Sequence, residues 1–164
     1  MSDEADGSQE LAAALGRVPS GLFVLTAKHG RRETGMLASW VQQCSFDPPQ
    51  VSAAVRKGRP VLPWLTEDHV PLVVNVLPEG VSKKYVAHFG KGFELDDAAF
   101  DGLPVDRAQA AAPVLTEAVA YLECAVSGWA DAADHMLLIL EVVGGAVLHE
   151  GRPATHVRRS GTHY

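Results

Sequence analysis

The sequence predicts a mainly β protein, an antiparallel barrel or sandwich with short helical additions. Three observations carry this. About six segments have strand character, four of them fall into two hairpins, and the intervening helical patterns are too short for repeated βαβ units.

In chain order, Ser8 is expected to cap a short amphipathic helix in which Leu11, Leu15 and Val18 recur at helical spacing, until Pro19 and Gly21 end it. Residues 1–10 read as a disordered tail and 11–164 as one domain. GLFVLTAK (21–28) and GMLASWVQQ (35–43) read as a first hairpin across the polar turn HGRRE. Asp47-Pro48-Pro49 is expected to force an extended corner, and QVSAAVR (50–56) to form a third strand. PVLPWLTED has helical spacing after the punctuation KGRP. PLVVNVL (71–77) is almost continuously apolar and β-branched, the pattern of a central strand covered on both faces. SKKYVAHFG (82–90) places Val86 and Phe89 on one helical face before Gly90 and Gly92 stop it. Residues 93–117 read as a long surface excursion without strands. AVAYLECAVSGWA (118–130) and HMLLILEVVGGAVL (135–148) form a second hairpin around DAAD.

Composition narrows the function classes. With 164 residues the chain suits a single globular domain, and its 47% hydrophobic and 21% charged content is that of an ordinary globular protein. A net charge of -6 disfavours nucleic acid and anionic lipid as partners. No apolar run reaches the roughly 20 residues a membrane helix needs, and the acidic start MSDEADGSQE lacks the order of a secretory signal, so a cytoplasmic location is the default expectation. Cys44 and Cys124 have no CxxC spacing and read as small core residues.

Few side chains announce chemistry. GKGFEL (90–95) lacks the third glycine of a dinucleotide fingerprint and reads as a turn. His149, His156 and His163 recur every seven residues, but Gly151, Pro153 and Gly161 break any helix that would align them, so no metal centre is expected. Asp134 and His135 sit at the mouth of the second hairpin, either as a tuned imidazole facing a ligand or as a turn aspartate beside a surface histidine. Arg56, Lys57 and Arg59 around Gly58 either hold a phosphate monoester or are solvated loop charge.

The stretch GMLASWVQQCSFDPP (35–49), with ALGRVPSGLFVLTA before it, resembles the flavin reductase-like family, which binds FMN in a split β-barrel of antiparallel Greek-key type. Together with PLVVNVL, AVAYLECAV, Asp134-His135 and the ending VRRSGTHY, it is similar to the C-terminal flavin reductase module of cyanobacterial flavodiiron proteins, over about residues 11–164. The His-x-Glu-x-Asp ligand run of a diiron domain is absent, so the resemblance implies the module alone, without iron chemistry.

The resemblance implies an oxidoreductase that needs few reactive side chains, because an isoalloxazine accepts hydride by itself once it is positioned. It places Leu37, Ala38, Ser39 and Trp40 along the flavin ring, where the residues alone would read as core strand. Cys44 and Ser45 fall near the ribityl and phosphate end, and Lys57 with Arg59 supplies charge for the phosphate. Phe89 either closes over the ligand or packs in the core. His135 is the candidate catalytic residue. Ala133 stands where the family often has glycine, which matters if the turn needs positive φ.

The expected activity is hydride transfer from NADH or NADPH to FMN, with electrons passed to free flavin or an electron-transfer protein. The alternative is an FMN-binding electron carrier with no nicotinamide site of its own. Family members are typically homodimers with FMN near the subunit interface, and the same is expected here.

Overall fold

The computed structural model describes residues 2–162, with side chains from Gly7 onward; His163 and Tyr164 of the tail lie outside the described residues. The elements are α1 (Ser2–Gly16), β1 (Ser20–Gly21), β2 (Phe23–His29), β3 (Arg32–Ala38), β4 (Val41–Phe46), β5 (Pro49–Arg56), α2 (Leu62–Thr66), β6 (Leu72–Val76), α3 (Ser82–Phe89), β7 (Val105–Asp106), β8 (Val114–Leu115), β9 (Ala120–Ala132), β10 (His135–Val147) and β11 (Thr155–His156). Seven strands form one antiparallel sheet in the order β3-β2-β6-β9-β10-β5-β4.

The sheet must curl, because its two edges are consecutive in the chain. Only Ser39 and Trp40 separate β3 from β4, and three peptide steps span at most about 11 Å. Among the described residues no ladder joins the two edges, so the barrel stays split at this seam. The β4–β5 ladder extends one residue into the link, where the Ala54 N–H donates to the Trp40 carbonyl at 3.0 Å, next to the Val41–Ala53 pair.

The long hairpin β9–β10 supplies the curvature. Its tip half pairs with β5, from His135 opposite Arg56 to Glu141 opposite Gln50, while its base half pairs with β6, from Leu72 opposite Cys124 to Val76 opposite Ala120. One register shift, at Ile139/Leu140, falls in the tip half, and another, at Val142/Gly144, falls at the start of the base half. Such bulges bend and twist a ribbon, so one hairpin can serve both walls.

Alternation fills the barrel. Leu25, Ala27, Val51, Ala53, Val55, Leu72, Val74, Leu138 and Leu140 point inward with Trp64 and Leu65 of α2. Val24 lies on the opposite face, where Tyr85 and Phe89 of α3 pack with Phe100 and Leu115. As the apolar run PLVVNVL implied, β6 is covered on both faces and sits between β2 and β9. The one polar side chain in β6, Asn75, is fully buried and organises the second face. Its amide donates to the Val24 carbonyl at 3.1 Å, and its Oδ1 accepts the Leu115 N–H at 2.8 Å. Thr26, beside it, donates to the Pro113 carbonyl at 2.6 Å. The excursion over 93–117 is thereby stapled to the sheet.

Several expectations are corrected. The single strand read over 35–43 breaks at Ser39-Trp40, because the chain leaves one edge of the sheet for the other there. The corner at Asp47-Pro48-Pro49 is a two-residue hairpin turn with a cis Asp47–Pro48 bond, Phe46 pairing with Pro49. Residues 93–117 contain the short pair β7–β8. In α3 the buried face is Tyr85 and Phe89, four residues apart, and Val86 is exposed. Cys124 is buried, and burial pushes its thiol up to about 12, whereas Cys44 is exposed on β4 rather than in the core. Helix α1 starts before Ser8, so Ser8 does not cap it, and residues 2–10, read as a disordered tail, are helical. Leu11 and Leu15 of α1 and Val18, which lies beyond its end at Gly16, are 61%, 44% and 64% exposed.

The turn joining β9 to β10 has Ala132 paired with His135, leaving Ala133 and Asp134 as its two central residues. Ala133 has φ +58°, the left-handed conformation that its place in a glycine-preferring turn made critical.

Replacing Asn75 by alanine leaves the buried Leu115 N–H without a partner and should lower the unfolding free energy by about 1–3 kcal/mol. Urea denaturation should show a lower midpoint at unchanged slope; an unmoved midpoint would show that the staple contributes nothing. Ala133→Gly should instead raise stability by about 0.5–1 kcal/mol, the relief of a left-handed alanine less the extra freedom of glycine in the unfolded chain. A lower midpoint for that variant would place no strain at the turn.

Candidate functional site

The seam creates two cavities, because consecutive residues of an extended chain point to opposite sides. Ser39, 9% exposed, turns into the first, and Trp40 into the second. The first has a volume of about 430 Å³ and the second about 460 Å³, both in the range of about 300–1,000 Å³ typical of small-ligand sites.

Leu37, Ala38 and Ser39 line the first cavity at the end of β3, with Val86 and Gly90 from α3 across from them. From β5 come Ala54 and Arg56. Their alternation with Val51, Ala53 and Val55, which point into the barrel, fixes this outward face. Arg59 follows from the turn after β5, and its guanidinium occupies the space a Cβ on Gly92 would need. The GKG stretch thus borders the site as a turn whose missing side chain makes room for an arginine. Because β3 is an edge strand, alternate residues turn their N–H and C=O groups away from β2.

The second cavity is lined by Trp40, Arg56, Asp134 and His135, closed on one side by Arg158, Gly161 and Thr162 of the tail. Arg56 belongs to both cavities. The Trp40 indole lies 5.0 Å from the His135 ring, and the Arg158 guanidinium sits 5.0 Å from the Trp40 ring. His135 is 6% exposed, with Nδ1 2.8 Å from Asp134 Oδ1. That hydrogen bond holds the Asp134 carboxyl below its ordinary range, so at neutral pH it is an acceptor and Nδ1 carries the hydrogen.

Of the residues singled out from sequence, Leu37, Ala38, Ser39 and Arg59 meet in the first cavity, while Trp40 and His135 meet in the second. Lys57 lines neither. Its Nζ pairs with Asp131 at 2.7 Å, which lowers that carboxyl, and its N–H donates to the Asp134 carbonyl, so it braces the hairpin turn. Cys44 and Ser45 lie on β4 beyond both cavities, at the register shift opposite β5. Phe89 is 1% exposed, packed against Phe100 and the bare Gly35, so of its two readings the structure places it in the core.

Sequence reasoning held Arg56 only as one member of the basic cluster with Lys57 and Arg59, read Val86 as a helix-face residue and His156 as an unsuitable metal ligand, and gave Arg158 no role. The period of two along QVSAAVR was the available signal for Arg56, since it puts this residue on the same face as Ala54. Nothing local announces His156 or Arg158, which reach the site through the β1–β11 pairing and the path of the tail.

Comparison with known proteins supplies the family. Residues 15–162 match the flavin reductase like domain. The putative diflavin flavoprotein A 6 of Nostoc sp. is 42% identical over 92% of this chain, and diflavin flavoprotein A 1 of Synechocystis sp. is 38% identical over 94%. This chain spans 26% and 27% of their respective lengths. Among solved structures, the NADH:FAD oxidoreductase SgcE6 of Streptomyces globisporus is similar with a TM-score of 0.77 and 27% identity, covering 88% of this chain and 80% of that one. The styrene monooxygenase flavin reductase of Pseudomonas putida gives a TM-score of 0.73 and 26% identity over 88% of this chain and 90% of that one. A match over residues 15–162, on a split barrel with a ligand-sized cavity at its seam, means that this chain belongs to the flavin reductase like domain family.

Proposed function

We propose that this chain is an FMN-dependent NAD(P)H oxidoreductase that uses the first cavity for the flavin. The observation that carries the reading is the pairing, in one 430 Å³ space, of an apolar wall and edge-strand main chain with the guanidinium groups of Arg56 and Arg59. These residues suit FMN, which combines a flat apolar ring edged with hydrogen-bonding atoms and a terminal phosphate. When bound, FMN supplies the hydride-accepting chemistry and passes electrons onward to free flavin or to an electron-transfer protein.

The protein's part is placement. Leu37 and Val86 exclude water from the ring, and the small Ala38 and Ser39 let main chain approach it. The Ser39 hydroxyl donates or accepts a hydrogen bond at the ring edge. Arg59 grips the phosphate, its fork held beside Gly92, and Arg56 stands between this cavity and the next. His135, the candidate catalytic residue, is oriented by the Nδ1 hydrogen it gives to Asp134.

The chain is proposed to work as a homodimer. Leu11, Leu15, Val18, Phe46, Val143 and Val147 expose apolar surface, Phe46 at 90%, and a second copy would cover it. Sedimentation should give the mass of two chains, and a monomer at micromolar concentration would defeat this assignment.

Reconstituted protein should be yellow and should bleach rapidly under anaerobic NADH or NADPH. Bleaching with dithionite alone would replace the reductase by an electron carrier, and failure to retain FMN would remove both. Arg59→Ala should weaken FMN binding about 10- to 100-fold in a fluorescence titration, the loss of a charged hydrogen-bonding partner worth about 1.5–3 kcal/mol; unchanged affinity would take the phosphate away from Arg59.

A further inference from the structure

We infer that Gly92 is a positioning residue for flavin recognition: its bare Cα holds the Arg59 guanidinium at the first cavity and so sets the preference of this chain for phosphorylated over unphosphorylated flavin. This rests on the first cavity being the flavin site.

The first argument is steric. Arg59 comes from the turn after β5 and Gly92 from the turn after α3. A Cβ on Gly92 would collide with a terminal nitrogen of the Arg59 guanidinium, and atoms of that group are its only neighbours within 4 Å. Backbone conformation alone does not account for this. Gly30, Gly58, Gly92 and Gly102 all have left-handed φ, between +62° and +83°, yet a Cβ on any of the other three would meet nothing within 4 Å. Of these four, only Gly92 has a side chain packed where its own would stand.

The second argument is that neither partner can step aside as a whole. The Gly92 N–H donates to the Phe89 carbonyl at 3.1 Å, and the Gly90 N–H donates to the Val86 carbonyl at 2.9 Å. Phe89 is buried in the core, and the Phe93 ring meets it edge-on at 5.7 Å, so the glycine turn is anchored on both flanks. Arg59 is held at its main chain, where its N–H donates to the Arg56 carbonyl at 3.3 Å and its carbonyl accepts the Leu62 N–H at 3.0 Å. The crevice that Arg59 and Gly92 share with Thr34, Met36, Pro60 and Phe93 has a volume of only about 10 Å³, at most the room of one water. A side chain at position 92 is therefore accommodated by displacing the flexible end of Arg59.

Charge makes that displacement matter. Among the described residues Arg59 forms no ion pair. Two acids after the turn are engaged elsewhere, Asp96 at 3.6 Å from Arg32 and Asp97 accepting the Glu94 N–H at 2.8 Å. Lys91, in the middle of the turn, lies 5.7 Å over the Phe93 ring. A phosphate monoester carries a charge of about -1.5 to -2 near pH 7, and riboflavin has no such group. Because a guanidinium binds phosphate through a planar fork, moving it weakens FMN binding and leaves the hold on the ring unchanged.

The test titrates the full chain, freed of flavin, with FMN and with riboflavin. Gly92→Ala should lower FMN affinity about 5- to 10-fold and riboflavin affinity less than about twofold, with no further loss when it is added to Arg59→Ala. Gly92→Asn, which tolerates left-handed backbone better but keeps a Cβ, should recover thermal midpoint without recovering FMN affinity. Gly102→Ala, strained but far from Arg59, should lower the midpoint and leave FMN binding unchanged. Unchanged FMN affinity in Gly92→Ala, equal losses for FMN and riboflavin, a matching FMN loss in Gly102→Ala, or a loss that adds in full to that of Arg59→Ala would each overturn the inference while the flavin site stands. Failure of the unmodified chain to bind either flavin would overturn the flavin reading and the inference together.

Discussion

The shortness of the link between β3 and β4 is the constraint on which the rest of the structure depends. Two residues join the opposite edges of a seven-stranded sheet, so the sheet has no flat alternative and must bring those edges together. Edge strands ordinarily expose unpaired main-chain groups that invite aggregation. Here the edges meet across a gap, and those groups face cavities. The feature that splits the barrel is therefore also the feature that opens the two cavities at the seam.

Two devices hold that geometry. Bulges in β9–β10 let a single hairpin pair with β5 at its tip and β6 at its base, which carries the curvature around the barrel. On the other face, the buried Asn75 and Thr26 fasten the 93–117 excursion to β6 and β2. That excursion contributes Phe100 and Leu115 to the packing around Phe89, so α3 is seated and its Val86 and Gly90 reach the first cavity. Lys57 plays a related part for the second cavity. By bonding to Asp131 and to the Asp134 carbonyl, it ties the end of β5 to the turn that presents His135. Lys57 thus holds the frame of the second cavity without lining it.

Much of the fold was readable because strand period and turn chemistry are local. The central strand at 72–76, the β9–β10 hairpin and the short helix after KGRP all follow from apolar pattern and punctuation. The break at Ser39-Trp40 was not readable, since neither residue is a glycine or proline and the extended pattern runs straight through it. The same limit governs the site. Leu37, Ala38, Ser39 and Arg59 line one cavity, whereas Phe89 is in the core and Lys57, Cys44 and Ser45 line neither cavity.

The sequence by itself determined the long strands other than the β3–β4 break, the covered central strand, the family, and the glycine-like demand placed on Ala133, because each is written in neighbouring residues. Only the tertiary structure decided which cations share a cavity. Arg56 sits one residue from Lys57, yet the pleat sends one to the ligand side and the other to a brace, and Arg158 arrives from about a hundred positions away. Side-chain direction and chain return are properties of the closed sheet, and no local pattern encodes them.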